Sequence, residues 1–186
     1  MNMNDFALTR RQEFFDDLAA RLAGAGHLRN SEQWRREFLI APVLTSPWGL
    51  NLRPWDIECE VSYPLTKHQR NQIKIDFGKN LSRVRPDYIV CPTDGSSVAL
   101  LVEAKKVLSK RDPLNRHAAQ VLIEQLVTRA PWAILTDGDM WMLVLQGKPL
   151  LAARSVTDLG NSIGKWQQLV GKDALFKTAS RASSLM

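Results

Sequence analysis

The sequence has few of the residues that build disulfide scaffolds and zinc sites, and no long apolar run. Its two cysteines, Cys59 and Cys91, are too few and too lightly flanked for either a disulfide framework or a metal cluster, so a reducing cytoplasm is the expected setting. The three histidines, His27, His68 and His117, are scattered without ligand spacing, and each reads as a surface or core residue. No apolar run approaches the ~18 residues that a membrane span needs, and the N-terminus carries no signal-peptide pattern. There is no internal repeat. The stretch from Gly160 to Trp166 superficially resembles a phosphate-binding loop, but one residue is missing before its second glycine and no Ser or Thr follows Lys165.

What is present suffices for one hydrophobic core. A chain of 186 residues, 45% of them hydrophobic, is expected to form a single domain over 1–176. Phe6, Leu8, Phe14, Phe15, Leu18 and Leu22 share one stripe of a helix over 5–24 that Gly24 and Gly26 end. It reads as core cover, with dimerisation as the alternative. A second helix is expected from Asn30 or Ser31, carrying Trp34, Phe38, Leu39, Val43 and Leu44, with Asn30 and Gln33 as a variant capping box and Pro42 kinking or ending it. Residues 55–63 alternate as one strand, and Ile73, Ile75 and Phe77 suggest a short further one, broken by Gly78-Lys79-Asn80. A helix beginning near Pro113, Leu114 or Asn115 runs to Thr128, with Ala118, Val121, Leu122 and Leu126 at helical spacing. A hairpin then turns at Asp137-Gly138-Asp139, residues 157–176 close the fold as one or two helices, and the Ser- and Ala-containing tail over 177–186 is expected to be disordered. Trp141 and Trp166 read as core aromatics.

Charge is concentrated. The formal net charge is +6, and between Thr66 and Pro86 six bases, Lys67, Arg70, Lys74, Lys79, Arg83 and Arg85, face the single acid Asp76, a net of +5. Such a window suits a polyanion gripped mainly through phosphates. The plainer alternative is a solvated insertion that aids solubility.

That window runs into residues 83–106, around which the chain is organised. Two apolar runs, 87–91 and 98–104, flank Pro92-Thr93-Asp94-Gly95-Ser96-Ser97, the pattern of a β-hairpin with a longer loop. Alternation puts Glu103 and Lys105 on one face and Ala104 on the other. Antiparallel pairing brings Asp87, at the start of one strand, beside the end of the next. Two carboxylates and an ammonium therefore meet at one sheet edge. Paired carboxylates repel unless a cation neutralises them. Mg²⁺ suits such a pair, since it takes one or two carboxylates and completes its shell with water and phosphate. The structural alternative is a solvated strand end.

Pro86-Asp87 followed by Glu103-Ala104-Lys105 resembles the PD-(D/E)XK nuclease signature. The run over 32–146 resembles the N-terminal nuclease domain of type I restriction enzyme restriction subunits. Its elements are Arg36-Glu37-Phe38 with Pro42-Val43-Leu44, Glu60, Arg85-Pro86-Asp87-Tyr88, Val102-Glu103-Ala104-Lys105-Lys106, Gln120, and Ile134-Leu135-Thr136-Asp137-Gly138 before Trp141. The resemblance implies an α/β, restriction-endonuclease-like core with a mixed, largely antiparallel central sheet flanked by helices, preceded by a helical extension over 1–28 and followed by a helical segment over 147–176. It also implies a Mg²⁺-dependent deoxyribonuclease, with Mn²⁺ able to substitute. Asp87 and Glu103 would hold the metal and Lys105 would support the attacking water. Glu37 would reach towards the site from its helix, and Gln120 would orient the lysine or a phosphate. Glu58 or Glu60 also faces the site, Glu60 matching the family better, and Gln125 is a weaker alternative to Gln120. Where the family has a tyrosine four residues after the glutamine, this chain has Glu124. DNA would be held through phosphates by Lys67, Arg70, Lys74, Lys79, Arg83, Arg85 and Lys106. The restriction subunit carries a motor that this sequence lacks, so the expectation is a free-standing nuclease or a subunit recruited by a specificity partner, as in phage defence or mobile elements. Cutting both strands at once would need a homodimer. A non-catalytic DNA- or protein-binding module and an RNA-directed nuclease are the rival readings.

Overall fold

In chain order the elements are helix α1 (Met3–Gly24), helical segments α2 (Glu32–Arg35) and α3 (Ala41–Thr45), strands β1 (Ile57–Cys59) and β2 (Tyr63–Pro64), and helix α4 (Lys67–Phe77). Strands β3 (Arg83–Val84), β4 (Tyr88–Val90) and β5 (Leu100–Ala104) follow, then helix α5 (Ala118–Thr128), strands β6 (Trp132–Thr136), β7 (Trp141–Leu145) and β8 (Lys148–Ala153), and helix α6 (Val156–Val170). The computed structural model describes residues 3–92, 97–108 and 117–176. The expected loop tip around Asp94-Gly95, the start of the helix near Pro113 and the tail over 177–186 lie outside the described residues.

Six strands form one sheet in the order β1-β4-β5-β6-β7-β8. β5 and β6 run parallel and the other neighbours antiparallel. A parallel pair needs a crossover, which α5 supplies. The fold is thus α/β with a mixed, mostly antiparallel sheet, as the sequence led us to expect. Among the described residues no helix is long and apolar enough to cross a membrane.

Alternation along β5 divides the core. Leu100, Val102 and Ala104 face the cluster that holds Phe15, Leu18, Ile40, Val43, Trp141 and Trp166. Leu101 faces the opposite cluster, with Ile89, Val121 and Leu135. Trp141 and Trp166 are fully buried, in keeping with their reading as core residues.

Several local expectations are corrected. In α1, Phe15, Leu18 and Leu22 are buried, whereas Phe6 and Leu8 are exposed. The second helix is capped by Ser31, whose hydroxyl accepts from the Trp34 N–H at 3.1 Å, not by Asn30. Its path runs through a π-helical turn over Arg36–Ile40 that ends two residues before Pro42. Proline has no N–H and its ring crowds the preceding turn, so the wider π spacing carries the helix across it. Residues 55–63 are not one strand. Glu60 adopts a left-handed φ of 54°, which ends β1, and β2 pairs with β3 in a separate two-stranded sheet. The expected strand around Ile73–Phe77 is helix α4: Thr66 and Gln69 form a reciprocal capping box, and Gly78 closes the helix at φ 65°. Ile73 is fully buried while Ile75 is 82% exposed, which is helical and not strand periodicity. Strand β8 was not anticipated. Gln146 and Gly147, both at positive φ, supply its hairpin turn. On α5, Val121 is buried but Leu126 is exposed, and Glu124, Gln125 and Thr128 take the buried positions.

Candidate active site

The site is built by register. β4 and β5 pair with Tyr88 opposite Val102, which sets Asp87 against the end of β5. Asp87 Oδ2 accepts the Ala104 N–H at 2.7 Å. The Lys105 N–H donates to the Thr136 carbonyl at 2.8 Å, so parallel pairing with β6 carries past Ala104 and holds the lysine in line. Just beyond it, the Leu108 N–H donates to the Asp137 carboxylate at 2.8 Å. Strand parity puts Glu103 on the face of Leu101, towards α5. That is why a carboxylate at the end of an apolar strand is only 3% exposed.

Three side chains converge on Glu103. The Lys105 ammonium and the Gln120 amide both donate to its Oε1. The same amide donates to Glu124 Oε1 at 3.0 Å. Glu124, also 3% exposed, lies one turn along α5 from Gln120. The remaining oxygens, Glu103 Oε2 and Glu124 Oε2, are buried with no hydrogen-bond partner. Burial, reinforced by the nearby Asp87 charge and opposed by Lys105, raises the Glu103 carboxyl above its ordinary range. Burial, with the Glu103 charge added, pushes Glu124 up to about 8. Carboxylates so placed keep a proton or attract a cation.

Arg36 comes from the π-helical turn. Its Nη1 lies 2.8 Å from Glu60 Oε1 and 3.2 Å from Asp87 Oδ1, and its guanidinium stands 5.1 Å from the centre of the Tyr88 ring. The Tyr88 hydroxyl donates back to the Arg36 carbonyl at 3.2 Å. Burial works against the charged guanidinium, but Glu60, Tyr88 and Asp87 outweigh it and hold the group above its ordinary value. Arg85 bonds Glu60 from the other side. Hydrogen bonds from Arg36 and Arg85 pull the exposed Glu60 carboxyl below its usual range.

Asp87, Glu103, Lys105 and Gln120 are thus brought together as expected. Glu37 is not brought to them by any contact of its own: it is exposed and accepts from Gln33 at 2.5 Å, and the residue of that turn that meets Asp87 is Arg36. Gln125 bonds the Ala130 and Pro131 carbonyls and the Gly147 N–H, a structural role. Glu58 is exposed on β1, and Glu60 serves the arginines. Lys67, Arg70 and Lys74 are exposed along α4, and Lys106 is exposed beside Lys105. Lys79, Arg83 and Arg85 line a groove of about 420 Å³ whose other wall includes Gln120 and Glu124. Sequence reasoning missed the part played by Arg36 and Glu124. The signal for Glu124 was its helical spacing from Val121 and Thr128, which puts an acid on the buried stripe of α5.

The donor set suits a hard cation. The pair Asp87 and Glu103 offers carboxylate oxygens, one of them buried and unsatisfied. Among the described residues no group of three His, Cys, Asp or Glu is arranged to hold a metal. No family model, no curated protein and no solved structure matches the chain.

Proposed function

We propose that the chain is a Mg²⁺-dependent phosphodiester hydrolase acting on DNA, built on a restriction-endonuclease-like core. The observation that carries the reading is the strand end itself. Asp87 and Glu103 sit side by side, Glu103 Oε2 is buried without a donor, and Lys105 is paired to the same carboxylate. A carboxylate oxygen buried without a donor is costly to a fold unless a proton or a cation completes it. The chemistry such an ion supplies when bound is acidification of a water and polarisation of a phosphoryl oxygen.

The chain's own groups do the rest. Asp87 and Glu103 would hold the ion, Mg²⁺ or Mn²⁺. Lys105 sets its side-chain nitrogen where negative charge builds on the phosphoryl oxygens. Gln120 fixes the Glu103 and Glu124 carboxyls by donating to both. Arg36 steadies Asp87. Lys79, Arg83 and Arg85 line the approach from the basic segment, with Lys67, Arg70, Lys74 and Lys106 extending the cationic surface. Contacts of that kind hold a backbone in place without reading its sequence.

The test is cleavage of plasmid and oligonucleotide DNA in Mg²⁺, Mn²⁺ or chelator, by wild type and Lys105→Ala. Metal-dependent cutting that Lys105→Ala abolishes without loss of DNA binding is the expected result. Binding with no turnover in any metal would make the chain a non-catalytic module, and cutting confined to RNA would reassign its substrate.

A further inference from the structure

The groove beside the site is of two kinds at once. Its rim is cationic, from Lys79, Arg83 and Arg85, and its floor is apolar, from Leu81, Val84 and Ile123. Val84 and Ile123 are almost fully buried and belong to a small core shared with Leu65 and Ile73, so the floor is anchored through β3, α4 and α5. Among the described residues Lys79 and Arg83 have no carboxylate partner, whereas Arg85 is tied to Glu60. Glu124, in the same lining, is 3% exposed, with one oxygen lacking any hydrogen-bond partner. Gln120, in the same wall, reaches Glu103 directly.

Duplex DNA offers a protein chiefly phosphates and the edges of stacked bases. A surface made only for phosphates needs cations and no hydrocarbon floor. An apolar recess under a cationic rim suits a nucleotide whose base has left the stack, as in single strands. The volume, about 420 Å³, falls in the range of roughly 300–1,000 Å³ typical of small-ligand pockets. We infer that this groove takes one unpaired nucleotide next to the phosphate being cut, and that the substrate is single-stranded DNA. The base lies against Leu81, which the buried Val84 and Ile123 back, its phosphate meets Lys79 and Arg83, and the neighbouring phosphodiester is led to Glu103 and Lys105. This rests on the hydrolase reading for the identity of the occupant.

The test is binding, measured in chelator so that no cutting intervenes. Fluorescence anisotropy compares a labelled oligonucleotide with the same sequence in a duplex, for wild type and for Leu81→Glu. Leu81 lies at the partly exposed edge of the floor, and circular dichroism checks that the variant folds. A second measurement needs no variant: deoxyadenosine monophosphate and inorganic phosphate are each titrated as competitors against wild type. The expected result is a single-strand preference of about tenfold or more, lost in Leu81→Glu, with the mononucleotide competing at concentrations where phosphate does not. Equal or tighter duplex binding, or phosphate competing as well as the mononucleotide, overturns the inference. Cleavage in Mg²⁺ is scored separately. A chain that prefers single strands but never cuts keeps the groove and loses the hydrolase reading. One that cuts without strand preference does the reverse.

Discussion

Replacing Glu124 by glutamine should stabilise the metal-free protein at mildly alkaline pH. Burial and the neighbouring Glu103 push the Glu124 carboxyl from 4.5 up to about 8. In that window the folded chain holds a proton that the unfolded chain has released, so stability is fully present below the unfolded value and falls as pH rises towards the folded one. Each pKa unit corresponds to about 1.4 kcal/mol. Shared with Glu103, the loss across the window is therefore on the order of a few kcal/mol. Glutamine keeps the shape and can still accept from Gln120, but it has no charge to bury. For a chain of this size, where 1 kcal/mol moves Tm by roughly 2–4 °C, Glu124→Gln should melt on the order of 10 °C higher than wild type near the top of that range. Urea titrations in chelator across the window read the effect directly: a falling curve for wild type, a much shallower one for the variant, and a narrowed gap when Mg²⁺ replaces chelator. A variant less stable than wild type at the alkaline end, or parallel curves, would refute the idea that Glu124 is buried at a charge cost.

Arg36→Met removes the shared partner of Asp87 and Glu60 and should cost about 1–3 kcal/mol in urea denaturation; an unchanged midpoint would mean that the arginine holds neither acid. Gly138 sits at φ 85°, and an added Cβ would come within 2.8 Å of the Leu39 side chain, so Gly138→Ala should lower stability by about 1–3 kcal/mol in thermal melts. Arg83→Ala should weaken DNA binding and reduce the slope of log affinity against log salt by about one, measured by anisotropy at several salt concentrations.

Much of the sheet and of the site could be read in the sequence because both follow from strand alternation. The two continuous apolar runs, 87–91 and 98–104, are joined by a turn-rich link, and antiparallel pairing of such runs sets Asp87 beside Glu103 and Lys105. The basic window was recognised by charge, but its shape was misjudged: Ile73, Ile75 and Phe77 fit alternation, while the capping pair Thr66 and Gln69 carried the stronger, helical signal. The break at Glu60 was hidden because a left-handed glutamate leaves no mark in composition. β8 was overlooked because Gln146-Gly147 is a less familiar hairpin turn than Asn-Gly. Arg36 and Glu124 meet the site only through tertiary packing, one across a π-helical turn and the other across a helix face. Local pattern shows that such residues are oddly placed without showing what they touch.

Binding of Mn²⁺, followed by electron paramagnetic resonance, asks most directly whether the carboxylates at the end of β5 are a cation site. Wild type should take up one ion, with affinity at least about tenfold weaker in both Asp87→Asn and Glu103→Gln, and unchanged in Arg70→Ala, an exposed residue of α4. Equal uptake by all four proteins would place the ion elsewhere and leave Asp87 and Glu103 with no metal to hold.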